Sequence, residues 1–214
     1  MITAIVFDIG ETVLDDTRNF GLWADWLRVP RHTFSAVLGA LRARGRPTNE
    51  VFEVFRPGIS YSELLLARGA HWAVTRDDLY PDVVPVLTAL QDAGMTIGLA
   101  GNQSASATAA IAGLSLPVAF VDSSSTLGAE KPARRFFDRL LDKHGLDASA
   151  TLYVGDNYDN DVEPARQCGL RTAFLVRGPW AHLNVHGGLD PYEADHVIHN
   201  LAELLPLVEL PERT

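Results

Sequence analysis

The chain is poor in cysteine: Cys168 is the only one in 214 residues. No internal disulfide can form, and a reducing cytoplasm is the expected setting. No apolar run is long enough to cross a bilayer. The N-terminus lacks the basic segment and long apolar stretch of a signal peptide, so no membrane partner is expected. Positive charge is scarce as well. The 18 Lys and Arg face 27 Asp and Glu, a formal net charge of -9. That balance disfavours general nucleic-acid binding and mostly serves solubility. Thr17 to Leu79 contains no lysine at all, and there are no internal repeats or low-complexity tracts. Apolar residues are abundant, at 47%, enough for a sizeable core without a disulfide or structural metal. The length suits one large domain, or one domain carrying an insertion.

The first apolar run, Ala4-Ile5-Val6-Phe7, ends abruptly in Asp8, followed by Ile9-Gly10-Glu11-Thr12. Such a run, rich in β-branched and aromatic residues, predicts a strand buried on both faces. Thr17 to Leu79 reads differently. Phe20, Trp23, Trp26 and Leu27 recur at helical spacing, as do Phe34, Val37, Leu38 and Leu41. Ser60-Tyr61-Ser62-Glu63 has the form of a capping box. This stretch is expected to be an all-helical insertion, residues 17–79, between two parts of a core, 1–16 and 80–214. From Tyr80 onward strands and helices alternate. Further strands are expected at Met95 to Ala100, Pro117 to Val121, Thr151 to Val154 and Thr172 to Val176, with a short one at His196-Val197-Ile198. A helix is expected over Leu201 to Val208. Alternation of this kind predicts an α/β fold: a three-layer, Rossmann-like core with a central parallel sheet.

Polar groups fall at the C-terminal ends of these strands: Asp8, Asn102, and Asp156 with Asp161, while Lys131 precedes a helix. In a parallel sheet those ends share one edge, where ligands bind. An Asp after a strand can equally be a turn or cap residue. Three carboxylates around one point repel unless a cation sits among them, and all-oxygen ligands suit Mg²⁺. A carboxylate nucleophile, Mg²⁺ and a lysine together make a kit for phosphoryl transfer.

The segments FDIGET (Phe7 to Thr12), GLAGN (Gly98 to Asn102), EKP (Glu130 to Pro132) and VGDNYDND (Val154 to Asp161) resemble, in order and spacing, the haloacid dehalogenase-like (HAD) hydrolase superfamily. The likeness is to its phosphatase-type members with a helical cap. The resemblance implies Asp8 as the nucleophile that forms an aspartyl phosphate. It implies Mg²⁺ held by Asp8, the Gly10 carbonyl, Asp156 and Asp161, and phosphate held by Gly101, Asn102 and Lys131. Lys131 would also steady Asp8, and Thr17 to Leu79 would be the cap that selects a small phosphorylated substrate.

Two positions depart from the family pattern. Gly10 stands where family phosphatases carry a second aspartate as general acid/base, and Glu11, one residue on, is a candidate substitute. Gly101 stands where the family has a Ser or Thr hydroxyl, and Ser104 is a candidate replacement. Dehalogenases lack an acidic pair like Asp156 and Asp161, and the lysine-free insertion excludes a cap Schiff base. The expectation is therefore a Mg²⁺-dependent phosphatase with altered acid/base chemistry. The alternative is a catalytically degenerate member that binds a phosphorylated ligand or a protein. The chain is expected to be a monomer or a homodimer. His182 and His186, four apart, could share a helix face as metal ligands, but Pro179, Asn184 and Gly187-Gly188 favour a loop.

Overall fold

The computed structural model describes residues 1–69, 74–186 and 193–208. They form two compact units, Met1–Asp15 with Val74–Thr214, and Asp16–Ala73.

The first unit is built on a six-stranded, all-parallel sheet in the order β3-β2-β1-β4-β5-β6. Its strands are β1 (Ala4–Phe7), β2 (Thr96–Gly101), β3 (Phe120–Ser123), β4 (Thr151–Gly155), β5 (Arg171–Leu175) and β6 (His196–Ile198). β1 and β4 are buried along their whole length, which is why their sequences are continuous apolar runs instead of alternating ones. The intervening helices are α5 (Val83–Asp92), α6 (Ala105–Ala112), α7 (Ser124–Leu127), α8 (Arg134–His144), α9 (Glu163–Gln167) and α10 (Gly178–His186). The chain moves outward first on one side of β1 and then on the other, and since crossovers between parallel strands are right-handed, such an order places helices on both faces. One face is packed by Phe136, Phe137 and Leu140 of α8 against Val6, Ala100 and Tyr153. Residues Phe7, Leu99 and Val154 stand level across β2, β1 and β4. The chain therefore leaves all three central strands at one height.

The expected strands are present with shifted ends. β3 begins at Phe120, not Pro117, because Pro117 has no N–H to give to a ladder and Ser115 adopts a left-handed backbone (φ 52°). The expected Leu201 to Val208 helix is only a short 3₁₀ turn, Leu201–Leu204, followed by turns. Pro206 has no N–H to continue it. Residues 178–186 are helical, not the expected loop. His182 and His186 stack with ring centroids 6.5 Å apart, and Pro179 sits in the first turn, where its missing N–H costs nothing. Gly187 and Gly188 lie outside the described residues.

The second unit holds α1 (Thr17–Leu27), α2 (Arg31–Arg42), α3 (Glu50–Phe55) and α4 (Tyr61–Arg68). The capping box at α4 forms as its sequence predicts: the Glu63 N–H donates to Ser60 Oγ and the Ser60 N–H to Glu63 Oε2. The unit's core is aromatic. Trp23, Phe34 and Phe52 are buried, with Trp23 and Phe52 centroids 4.6 Å apart and Tyr61 stacked on Phe52 at 4.8 Å. At the edge of the first unit, the chain's departure and return are clamped together. Leu14 and Leu79 pair antiparallel, the Asp15 N–H donates to the Asp78 carbonyl at 2.8 Å, and the Tyr80 N–H donates to the Val13 carbonyl. That clamp places Val74 to Leu79 with the first unit, whereas the sequence pattern assigns it to the insertion. No helix among the described residues is long and apolar enough to cross a membrane.

Candidate active site

The sheet's order reverses between β1 and β4, and a parallel sheet opens a crevice at such a switch point. Asp8 follows β1 directly, with its N–H donated to the Val154 carbonyl of β4 at 2.8 Å. Asp156 follows β4. Asp161 comes back to the same point because residues Tyr158–Val162 form one wide π-helical turn before α9. Such turns accumulate at functional sites. The three carboxylates each place an oxygen within 4.8 Å of the others, and all three residues are buried. Gly155 is required for this approach, since a Cβ there would stand 2.4 Å from the Asp161 carboxylate carbon.

Lys131 is the cation of the cluster. Its Nζ donates to Asp8 Oδ1 at 2.6 Å and to Asp161 Oδ1 at 2.5 Å. Asn102 fixes the lysine's backbone, donating from Nδ2 to the Lys131 carbonyl (2.9 Å) and accepting the Lys131 N–H at Oδ1 (2.8 Å). Asp161 Oδ2 accepts the Asn157 N–H, and Asp156 Oδ1 accepts the Thr12 hydroxyl. Two oxygens are left over. Asp156 Oδ2 is buried without a hydrogen-bond partner, and Asp8 Oδ2 makes no hydrogen bond among the described residues.

The electrostatics follow from one cation against three carboxylates. Burial, then repulsion from Asp161 and Asp8, pushes the Asp156 carboxyl well above the ordinary range. Burial and repulsion from Asp8 push Asp161 up to about 7, against the pull of Lys131. Burial disfavours the Lys131 charge, but attraction to Asp161 and Asp8 outweighs it and holds the ammonium charged well above the usual lysine range. An orphaned buried carboxylate oxygen within an all-oxygen, net-negative cluster fits a hard divalent cation such as Mg²⁺. A carboxylate bound to such a cation is relieved of the repulsion that raises its pKa.

The other residues singled out in the sequence fall as follows. Gly10 lies in the turn after β1, where Val13 and Leu14 both donate to the Ile9 carbonyl. Glu11 is buried and holds a left-handed backbone (φ 56°), uncommon for a residue with a side chain. Its Oε2 accepts the Tyr80 hydroxyl at 2.6 Å. Burial and that bond raise the Tyr80 phenol. The guanidinium of Arg177 covers Tyr80 at 4.2 Å and donates to the Thr12 carbonyl and to Asp82. Sequence reading missed this Tyr80–Arg177 bracket. Its members lie far apart in the chain and match no motif. Gly101 closes β2, and a Cβ there would stand 2.7 Å from Asp8 Oδ1. Ser104 serves as the N-cap of α6, accepting the Ala107 N–H and touching Ser106 Oγ, so its hydroxyl is occupied by helix capping. A separate cleft of about 580 Å³ lies in the second unit, lined by Leu41, Phe52, Ile59 and Tyr61 among others.

An open parallel sheet with carboxylates converging at its switch point has the frame of an α/β protein with its ligand site at the strand ends. A family profile described as haloacid dehalogenase-like hydrolase matches residues 2–169, and the chain belongs to that family. Among curated relatives, it is 34% identical to the glyceraldehyde 3-phosphate phosphatase of Methanocaldococcus jannaschii over 42% of this chain and 37% of that protein. It is 30% identical to the ribulose-1,5-bisphosphate 5-phosphatase of Halopiger xanaduensis over 72% of this chain and 65% of that one. The chain thus spans about a third to two thirds of the length of these two relatives. Among solved structures, the magnesium-bound putative HAD-hydrolase YfnB of Bacillus subtilis superposes with a TM-score of 0.71. It is 18% identical, over 97% of this chain and 99% of that one. The L-2-haloacid dehalogenase of Xanthobacter autotrophicus gives 0.68 at 21% identity, over 97% and 98%. These likenesses show a shared fold.

Proposed function

We propose that the protein is a Mg²⁺-dependent phosphatase acting on a small phosphorylated metabolite through an aspartyl phosphate on Asp8. The carrying observation is the buried cluster of Asp8, Asp156 and Asp161 around Lys131, with Asp8 Oδ2 free and Asp156 Oδ2 orphaned. The phosphatase names of the relatives support the same reaction class. Asp8, Asp156, Asp161 and the Gly10 carbonyl would hold the cation, which supplies charge neutralisation for an incoming phosphate.

In this reading Asp8 Oδ2 attacks phosphorus and the bond to the leaving oxygen breaks. Lys131, fixed by Asn102, holds Asp8 through its Oδ1 and balances phosphate charge. Water then cleaves the aspartyl phosphate, releasing phosphate and restoring Asp8. Gly101 gives the phosphate no hydroxyl, and Gly10 gives the leaving oxygen no acid. General acid/base help is worth roughly 10²–10⁴-fold, and a preorganised donor about 10²–10³-fold. Enzymes on phosphate monoesters reach accelerations up to ~10²¹-fold, so both losses together leave room for turnover. Asp16–Ala73 is the cap in this proposal, and it selects the substrate.

The test is a leaving-group series assayed with Mg²⁺ and with chelator. Activated esters such as p-nitrophenyl phosphate should turn over and sugar phosphates much more slowly, only with Mg²⁺. Gly10→Asp should raise the rate most for poor leaving groups. Glu11→Gln should change it only a few-fold, because the amide oxygen can still accept from Tyr80. If Glu11→Gln alone destroys turnover and Gly10→Asp adds nothing, Glu11 is the acid/base. If no ester turns over, the degenerate ligand-binding reading replaces this one.

A further inference from the structure

Arg68 ends α4 in the second unit and is only 6% exposed. Its guanidinium lies over the Trp23 ring, 4.1 Å from the centroid. Among the described residues it has no hydrogen-bond or ion-pair partner, and neither does the hydroxyl of nearby Tyr61. Burial pulls the Arg68 pKa down and burial raises that of Tyr61, while each feels the other's charge. Arginine nevertheless stays protonated throughout the working pH range. Three other arginines of this unit meet simple partners: Arg31 pairs with Asp25, Arg46 with Glu50, and Arg56 donates to the Leu27 carbonyl. Arg68 combines burial with five N–H donors that meet no acceptor among the described residues.

A charge removed from water and left unpaired is costly. Stacking on an indole recovers part of that cost through the ring face. It leaves the edge of the guanidinium plane, where its N–H groups point, unused. That edge matches carboxylate and phosphate oxygens in a two-pronged geometry. We propose that Arg68, laid on Trp23 beside Tyr61, is an anion-recognition site for a carboxylate- or phosphate-bearing small molecule. Arg68 supplies the paired donors and Trp23 fixes their plane. The Tyr61 hydroxyl offers one further hydrogen bond. The proposal concerns binding alone and does not depend on the reaction assigned to Asp8.

The test follows tryptophan fluorescence of the full-length, metal-free protein at constant ionic strength. Malonate and inorganic phosphate are titrated separately, so that the two headgroups are told apart. The wild-type chain should give a saturable change with at least one of them, since the bound anion alters the field over Trp23. Arg68→Met should weaken that binding at least tenfold while circular dichroism stays unchanged. Should Arg68→Met fail to fold, Arg68→Gln keeps a polar group in place without the charge, and the same loss is expected. No saturable change in the wild type, or an unaltered titration in the folded variant, would overturn the site and leave Arg68 a packing residue. Because no turnover is measured, the outcome is separate from that of the phosphatase assay.

Discussion

Two groups of buried carboxylates sit on the same sheet and are treated in opposite ways. Asp122, in β3, has every oxygen matched. Its Oδ1 accepts from Lys143 at 2.6 Å and from Thr126 at 2.7 Å, and its Oδ2 meets His144 Nε2 at 2.5 Å. Burial pushes its carboxyl up, but the hydrogen bonds from Lys143, His144 and Thr126 outweigh that and hold it below the ordinary value. At the ends of β1 and β4 one lysine bonds two of three clustered carboxylates, one oxygen is orphaned, and two pKa values are driven up. One basic group per oxygen makes a strut. An excess of buried negative charge is held only because the surrounding strands and turns over-determine it, and such excess is the mark of a candidate functional site.

The widest gap between the two groups should appear in turnover. Asp8→Asn is expected to reduce hydrolysis of p-nitrophenyl phosphate by at least ~10³-fold, the scale seen when a nucleophile is removed, with the melting temperature within a few degrees of wild type. A full-rate Asp8→Asn enzyme would reduce the cluster to another strut.

The next effect is smaller. Gly101→Ala puts a Cβ 2.7 Å from Asp8 Oδ1, so the carboxylate must shift away from Lys131. A displacement of about 1 Å costs roughly 10²-fold, and it should appear in kcat with little change in stability. Unchanged kinetics would mean that Asp8 does not need its present rotamer.

Stability should separate the groups with opposite signs. Asp122→Asn is expected to cost about 1–2 kcal/mol at neutral pH, because it weakens hydrogen bonds to a buried anion while Lys143 remains half in water. Since the folded pKa of Asp122 is lowered, its contribution is present above the unfolded carboxylate pKa of about 4 and is lost as pH falls through the folded value. Asp156 and Asp161 have raised pKa values, so in metal-free protein the folded state holds protons longer. The contribution of these two groups is then fully present below the unfolded carboxylate pKa of about 4 and is lost as pH rises, for Asp161 through about 7. Asp156→Asn should flatten that fall and raise the metal-free melting temperature at pH 8 by about 2–4 °C, equivalent to about 1 kcal/mol. Millimolar Mg²⁺ should do the same for wild type. Thermal melts of the two variants at pH 5 and pH 8 decide it, and equal signs for both would erase the distinction.

The strands were legible in the sequence because burial on both faces leaves an unbroken apolar run, as in Ala4–Phe7 and Thr151–Gly155. Strand ends were less so: β3 lies three residues later than its apolar run suggests, because Pro117 carries no donor. The clustered carboxylates Asp8 and Asp156 could be picked out as polar groups that stop apolar runs. Asp161 was legible only through its motif, since its return depends on a wide helical turn that no periodicity announces. Asp82, Arg177 and Tyr80 were invisible, because they meet only after three distant segments have folded together. The helix holding His182 and His186 reads as a loop in the sequence because Pro179, Asn184 and Gly187-Gly188 weigh as breakers, although a first-turn proline is no obstacle.

Leu14 and Leu79 carry a consequence for how such a chain changes over time. The insertion leaves and re-enters the sheet unit at two points one hydrogen bond apart. Sheet and strand ends are therefore closed by the same clamp whatever is spliced between Asp15 and Val74. An insert can be lengthened, shortened or exchanged without re-registering a single strand, provided its own ends meet. The edge carrying Asp8, Asp156 and Asp161 and the helices between Asp15 and Val74 can thus change independently of each other.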